Sequence, residues 1–163
     1  FYAIPKTESR DSLIARSGFV RSSALSAGTK IEGYVENSII FPGVQIKEEA
    51  IVINSVIMNH NYIGRKTSVE NTIVFPNFNE NISAGLTVGE KTVIGSNKSN
   101  ASNRDFPRQI TSGLTVIGSN PDIPDNFQID GGCLIGADTP AAVIKKIKKI
   151  QRRTSILPEQ KDQ

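Results

Sequence analysis

The sequence holds almost none of the side chains from which soft-metal sites and covalent frameworks are built. Its 163 residues include one Cys (Cys133), one His (His60), one Met and no Trp. A zinc site made of Cys and His takes three or four such ligands, so one is excluded. A disulfide framework is excluded for the same reason, and the chain reads as a protein of a reducing compartment, the cytoplasm. Aromatic residues make up 6%, too few for base-stacking platforms. The charge balance is small, since 19 Lys and Arg minus 16 Asp and Glu leaves +3. Nucleic acid is therefore not an expected partner. No run approaches the roughly 18 consecutive apolar residues of a membrane helix, and no membrane association is expected. The opening Phe1-Tyr2-Ala3-Ile4-Pro5-Lys6-Thr7 lacks the basic-then-apolar order of a signal peptide.

What the sequence does contain is a repeat. Asn37-Ser38-Ile39-Ile40 returns as Asn54-Ser55-Val56-Ile57 and as Asn71-Thr72-Ile73-Val74, with a constant period of seventeen. Val35, Val52 and Val69 each precede the Asn by two, Ile46 and Ile63 each follow it by nine, and Phe41-Pro42 returns as Phe75-Pro76. Within the repeat, aliphatic residues recur at steps of five or six: Ile46, Val52, Ile57, Ile63, Val69, Val74. Phe19, Leu25 and Ile31 continue this series upstream, and Ile117, Ile123, Ile129 and Leu134 downstream. β-Branched residues favour extended chain. Three steps of five or six make one turn of a triangular coil that climbs by one strand spacing, about 4.8 Å. The expected fold is all-β, a parallel β-helix of about six coils. One aliphatic residue per side points inward, and Asn37, Asn54 and Asn71 form a polar ladder. The spacing leaves the hand of the coil open.

Two irregularities interrupt the pattern. After Val74 the next anchor is Ile82, which enlarges a corner near Asn77-Phe78-Asn79. Between Ile94 and Ile117 the pattern fails, and residues 95–112 read as a polar loop thrown out from a corner. Phe106 and Pro107 are its expected anchors, and the loop is expected to be mobile or pinned by a neighbouring subunit, so that excising residues 96–105 leaves the fold intact. After Gly136, Thr139-Pro140 reads as the start of a helix. Val143, Ile144, Ile147 and Ile150 then share one helical face. This helix is expected to cap the last coil, with a tail to residue 163. The domain reading is 1–16 linker, 17–138 β-helix with the 95–112 insertion, and 139–163 capping helix and tail.

Ile31-Glu32-Gly33-Tyr34-Val35-Glu36-Asn37-Ser38-Ile39-Ile40-Phe41-Pro42-Gly43-Val44-Gln45-Ile46, with Asn54-Ser55-Val56-Ile57-Met58 and Ile63-Gly64, resembles the C-terminal domain of bacterial glucose-1-phosphate adenylyltransferases. The likeness is best over 17–94 and weaker over 113–136. It implies a left-handed hexapeptide-repeat β-helix that follows a nucleotidyltransferase domain and helps form the oligomer and a site for an allosteric metabolite. The parent reaction it implies joins ATP and glucose 1-phosphate into ADP-glucose and pyrophosphate for glycogen synthesis, with Mg and ATP held by the other domain. This chain has no Gly-x-Gly-Thr-Arg segment, so no catalytic, cofactor-binding or metal-binding residue carries over to it. The start at Phe1 rather than Met agrees with a C-terminal part of a larger enzyme. Alternatives are the C-terminal domain of another sugar-phosphate nucleotidyltransferase, such as a mannose-1-phosphate guanylyltransferase, a catalytically silent paralogue, or a stand-alone hexapeptide acyltransferase.

The acyltransferase alternative would use His60 as general base. The other reading of His60 is a solvated corner, and only this one leaves the adenylyltransferase-like phrases explained. Cys133, one residue before an expected anchor, reads as a buried spacer rather than a nucleophile. Lys145, Lys146, Lys148, Lys149, Arg152 and Arg153 read as the solvated face of the helix, with binding of phosphate groups, nucleic acid or an anionic membrane as the functional alternatives. Arg16, Arg21, Lys30, Lys47, Arg65 and Lys66 are equal candidates for an anionic effector.

Overall fold

The computed structural model describes residues 11–78, 87–96, 100–147 and 149–158. Strands of two to four residues succeed one another along the chain and turn a corner after each. They stack in parallel into three faces. The first holds Leu13–Ile14, Lys30–Ile31, Gln45–Ile46 and Tyr62–Ile63, and bridges from Ile63 to Val88 and from Val88 to Ile123 prolong it. The second has six strands, Phe19–Arg21, Tyr34–Glu36, Ile51–Ile53, Ser68–Glu70, Val93–Ser96 and Gln128–Asp130. The third has seven, Ala24–Leu25, Ile39–Ile40, Val56–Ile57, Thr72–Val74, Thr115–Ile117, Leu134–Ile135 and Ser155–Ile156. This is a parallel β-solenoid, consistent with the left-handed hexapeptide β-helix, and the described residues hold almost no helix.

One aliphatic side chain per strand fills the prism. Ile31, Ile46, Ile63 and Val88 stack inside the first face, Val35, Val52, Val69 and Ile94 inside the second, and Ile40, Ile57, Val74 and Ile117 inside the third, all at 0% exposure. Two expected anchors are displaced by one position. Phe19 is exposed and stacks on Tyr34 with ring centroids 5.4 Å apart, while Val20 packs on the core. Likewise Ile135, not Leu134, pairs with Ile117 and is buried. A strand turns successive side chains to opposite faces, so register decides which of two adjacent apolar residues goes inside.

The Asn-Ser phrase marks the corner between the second and third faces. Asn37, Asn54 and Asn71 all have left-handed backbones, with φ of 52°, 50° and 47°, a conformation Asn tolerates better than most residues. The Asn37 side-chain amide donates to Asn54 Oδ1 at 2.8 Å, so the polar ladder is present there. Asn71, at the top, donates to the Ser112 carbonyl instead, at 3.2 Å. The residue after each Asn forms a second ladder beneath it. Ser38 Oγ accepts from the Ser55 amide at 3.1 Å, and Ser55 Oγ from the Thr72 amide at 3.2 Å.

Both insertions fall at corners. The chain runs further from Ile63 to its stacked partner Val88 than from Ile46 to Ile63, so extra chain enters between the third and first faces. Ile82 lies outside the described residues, and Val88 supplies the stacked anchor. The longer insertion leaves the second face after Val93–Ser96 and rejoins at the third with Thr115–Ile117. The near-identical flanking phrases thus sit on adjacent faces.

The C-terminal segment departs from the expected capping helix. The helix is one turn, Ala141–Lys145, with Pro140 as its N-cap. Thr139 Oγ1 donates to the Gly136 carbonyl rather than capping it. Beyond it the coil resumes. Ile150 bridges to Ile129 and Ile156 pairs with Ile135, at the same separation along the chain. Ile144 stands at that separation from Ile123 and is buried in the same core. The segment is a seventh rung whose first side is a helical turn. The solenoid therefore extends at both ends beyond 17–138, from Leu13 to Ile156.

The loop is also more ordered than its composition predicts. Asn103 is fully buried. Its Nδ2 donates to the Gly132 carbonyl at 2.9 Å, and its Oδ1 accepts from the amides of Asp105 and Phe106 and from Ser155 Oγ. Arg153 Nε donates to the Ser102 carbonyl at 2.6 Å. The loop is thus tied to the last rungs of its own chain. Its buried side chains, among the described residues, include Asn103 and Ile110, while Pro107 is exposed and Phe106 half-buried.

Candidate functional site

The two residues weighed as catalysts in the sequence, His60 and Cys133, each have a structural task. His60 occupies a corner in the left-handed region, φ 58°, and its amide donates to the Pro42 carbonyl at 3.1 Å. Its imidazole lies over Gly43 in the rung below, where a Cβ would come within 2.4 Å of Nδ1. Gly43 itself has φ 71°. Gly43→Ala is expected to lower stability by about 2 kcal/mol, partly from the left-handed backbone and partly from the clash. In a His60→Ala background the clash vanishes, so a double-mutant cycle by thermal melting should show coupling of about 1 kcal/mol. Zero coupling would mean the imidazole does not rest there.

Cys133 is fully buried, and its Sγ donates to the Gln151 carbonyl at 3.0 Å. Burial pushes its thiol pKa up, away from the thiolate a nucleophile needs.

The basic residues do not converge on one site. Lys30 and Lys47 both pair with Glu32, at 2.5 and 3.5 Å, and hold its carboxyl below the ordinary range, the Lys30 hydrogen bond contributing most. Lys47 also sits 4.9 Å over the Tyr62 ring. Arg65 pairs with Glu48 at 2.8 Å, Lys66 with Glu49 at 3.7 Å, and Arg21 with Glu36 at 3.4 Å. Glu48, Glu49, Arg65 and Lys66 thus make the corner between the first and second faces a ladder of compensated charge, while the Arg21–Glu36 pair stands at the other edge of the second face, beside Asn37. The expected basic helix face is broken up as well. Lys149 pairs with Asp130 at 3.0 Å, and Arg153 is engaged with the loop. Arg16, Lys145, Lys146 and Arg152 are exposed, and Lys148 lies outside the described residues. Among the described residues no three His, Cys, Asp or Glu side chains group as metal ligands.

A small cavity of about 160 Å³ opens where the loop leaves the corner, lined by Asn54, Glu70, Asn71, Gly95, Asn100, Ser112 and Gly113. It is polar, and these lining residues include neither a nucleophile–base pair nor a cluster of cations.

The feature that sequence reading missed is a surface. On the third face one outward row runs, in register, Ala24, Ile39, Val56, Ile73, Val116, Leu134, Ser155. A second row follows the inward residues as Ser26, Phe41, Met58, Phe75, Gly118, Gly136, each amide bonded to the next rung. Neither row contains a formal charge. The other two faces do, with Lys30, Glu32 and Lys47 on the first and Arg21, Glu36 and Glu70 on the second. The signal was in the sequence as the aliphatic residue beside each anchor, which pattern-reading treats as redundant.

Residues 8–117 match the family described as GlmU-like, C-terminal hexapeptide. Among curated proteins, the chain is similar to the glucose-1-phosphate adenylyltransferase of Acetivibrio thermocellus, 33% identical over 122 residues, 75% of this chain and 26% of that protein. It is similar to that of Fervidobacterium nodosum, 34% identical over 131 residues, 80% of this chain and 29% of that protein. A third, from Bacillus cytotoxicus, is 34% identical over 85 residues, 52% of this chain and 20% of that protein. The chain thus spans under a third of the length of these relatives. No helix among the described residues is long and apolar enough to cross a membrane.

Proposed function

The chain belongs to the GlmU-like C-terminal hexapeptide family, and on that premise we propose that it is the regulatory and oligomerising C-terminal domain of a glucose-1-phosphate adenylyltransferase-like enzyme. The observation that carries this reading is the alignment of three quarters or more of the chain with about a quarter of two such enzymes. The parent reaction would join ATP and glucose 1-phosphate into ADP-glucose and pyrophosphate, in the cytoplasm. Mg and ATP would be held by the part of the enzyme outside this chain. The site geometry agrees with a scaffold. His60 is spent on a corner and Cys133 on the core, and the candidate cations are largely paired.

The test is an assay of ADP-glucose formation from ATP, glucose 1-phosphate and Mg. The purified chain alone is expected to form none, and the chain expressed with its upstream coding sequence is expected to form it. Synthesis by the isolated chain would overturn the reading, as would an upstream sequence without a nucleotidyltransferase domain. Acetylation of an amino sugar that is lost in His60→Ala would assign the acyltransferase chemistry instead.

A further inference from the structure

We propose that the cavity beside Asn71 is a binding site for a neutral polyhydroxyl ring, either a free sugar or the terminal sugar of a chain. The inference goes beyond the scaffold role above and does not depend on it.

The insertion creates the site. On the lower rungs the corner between the second and third faces is closed by Asn37, Asn54 and Asn71, each in the left-handed region. One rung higher the chain departs after Val93–Ser96 and returns with Ser112, which takes up the same backbone conformation at φ 55°. Asn71 Nδ2 donates to the Ser112 carbonyl at 3.2 Å. The cavity of about 160 Å³ lies where the chain departs and returns, bordered by Gly95 and Gly113. Both glycines are left-handed, with φ of 80° and 69°, and a side chain at Gly95 would run into the Glu70 carbonyl.

The asparagine ladder breaks at this cavity. Asn37 donates to Asn54 Oδ1 at 2.8 Å. The next bond of the series, from Asn54 Nδ2 to Asn71 Oδ1, is not formed, and Asn71 directs its own amide to Ser112. Among the described residues, Asn54 Nδ2, Asn71 Oδ1 and the Asn100 side chain have no hydrogen-bond partner, and all three residues line the cavity.

These groups select the ligand. Asn54 offers only N–H, since its oxygen is taken by Asn37, and an N–H donor repels a cation. The Glu70 carboxylate repels an anion, and the lining residues include no Lys or Arg to offset it. What remains is a neutral group that both accepts and donates. Asn54 and Asn71 stand on successive rungs, about 4.8 Å apart. One hydroxyl between them accepts from the first and donates to the second, with bonds of ordinary length, about 2.8 Å. A neighbouring hydroxyl on the same ring then meets Glu70 or Asn100. The volume agrees. A cavity of about 150 Å³ with apolar walls takes up one six-membered ring, benzene. With polar walls, the matching occupant is a six-membered ring that carries hydroxyls.

The test is saturation-transfer difference NMR of the 163-residue chain, with glucose, myo-inositol and maltotriose as probes. Transfer to ring protons is expected, with a Kd of about a millimolar for a ligand of this size. Equal affinity for glucose and maltotriose assigns the site to a free sugar. Tighter maltotriose, with transfer concentrated on one terminal ring, assigns it to a chain end. Asn100→Ala removes a side chain with no partner among the described residues, so it should leave the melting midpoint unchanged. Its affinity for the ring should fall about fivefold, the loss of one neutral hydrogen bond. Asn54→Asp keeps the acceptor for Asn37 and removes the donor, and should weaken binding at least as much. Glucose 1-phosphate should bind more weakly than glucose, and Glu70→Gln should narrow that difference. Absence of transfer to all three probes at about 20 mM, well above the expected Kd, overturns the proposal. So does transfer that both asparagine variants leave unchanged, or glucose 1-phosphate binding more tightly than glucose. None of these outcomes bears on the ADP-glucose assay.

Discussion

Ile63→Asp is expected to abolish the cooperative thermal transition of the domain. Ile63 is fully buried in the first face, stacked between Ile46 below and Val88 above. The members of that ladder are Ile and Val, and the nearest buried donors, Asn61 Nδ2 and Thr87 Oγ1, are already given to the carbonyls of Met58, Phe75 and Tyr62. A carboxylate placed there must either stay charged in an apolar prism, at several kcal/mol, or remain protonated without a hydrogen-bond partner. Loss of the aliphatic side chain adds a cavity cost of about 2 kcal/mol or more. Together these reach about 5 kcal/mol, comparable with the about 5–15 kcal/mol that holds a domain folded. Ile63→Val, which keeps the shape and polarity, should cost only about 1 kcal/mol and retain a sharp transition. The measurement is circular dichroism against temperature. A cooperative melt of the Asp variant near the parent midpoint would show that this ladder is not the core. A melt split into two steps would show that the coils on either side fold as separate units, as a solenoid's nearest-neighbour energetics permits.

Asn103→Ala should have the next largest effect, and it comes from the loop that composition marks as dispensable. One fully buried side chain joins Gly132, Asp105, Phe106 and Ser155. Its removal leaves the Gly132 carbonyl and the Ser155 hydroxyl without that partner, at about 1–3 kcal/mol for a buried group. A total of about 3 kcal/mol is expected, which for a chain of this size lowers the melting midpoint by about 10 °C. Asn103→Asp should not rescue it, because an oxygen would then face the Gly132 carbonyl. Excising residues 96–105 should be worse still, since the Ser102 carbonyl that accepts from Arg153 is removed too. Loop length alone would cost well under about 1 kcal/mol. The penalty is in the lost hydrogen bonds, so excision is expected to lower the melting midpoint, where composition alone predicts little change. An unchanged midpoint in Asn103→Ala would show that water replaces the whole network.

Much of the architecture was legible because a β-helix writes its geometry into the chain. A constant period from Val35 to Val52 to Val69 is a stack of rungs and little else, and Asn at 37, 54 and 71 marks corners that need a left-handed backbone. The resemblance carried by the Asn-Ser-Ile-Ile-Phe-Pro phrase agrees with the family match over 8–117. The misreadings share a cause. Where two adjacent residues are apolar, as at Phe19-Val20 and Leu134-Ile135, only pairing with the next rung settles which is inside. Where steps of three coincide with steps of six, as from Ile144 through Ile147 to Ile150, a helical face and a β-rung are the same pattern. The helical turn stops at Lys145 and Ile150 bridges to Ile129.

The sequence by itself thus determined the coil, its period and its inward aliphatic ladders, because these depend on contacts between residues at fixed separations. Only the tertiary structure decided what the remaining residues do. Asn103 became a buried hub because the loop folds back over Gly132 and Ser155, 29 and 52 positions away, separations no local pattern encodes. The outward aliphatics became one uncharged face because stacking aligns residues from seven rungs. Each of them is an ordinary exposed Ile, Val or Phe until the coil closes and brings them together.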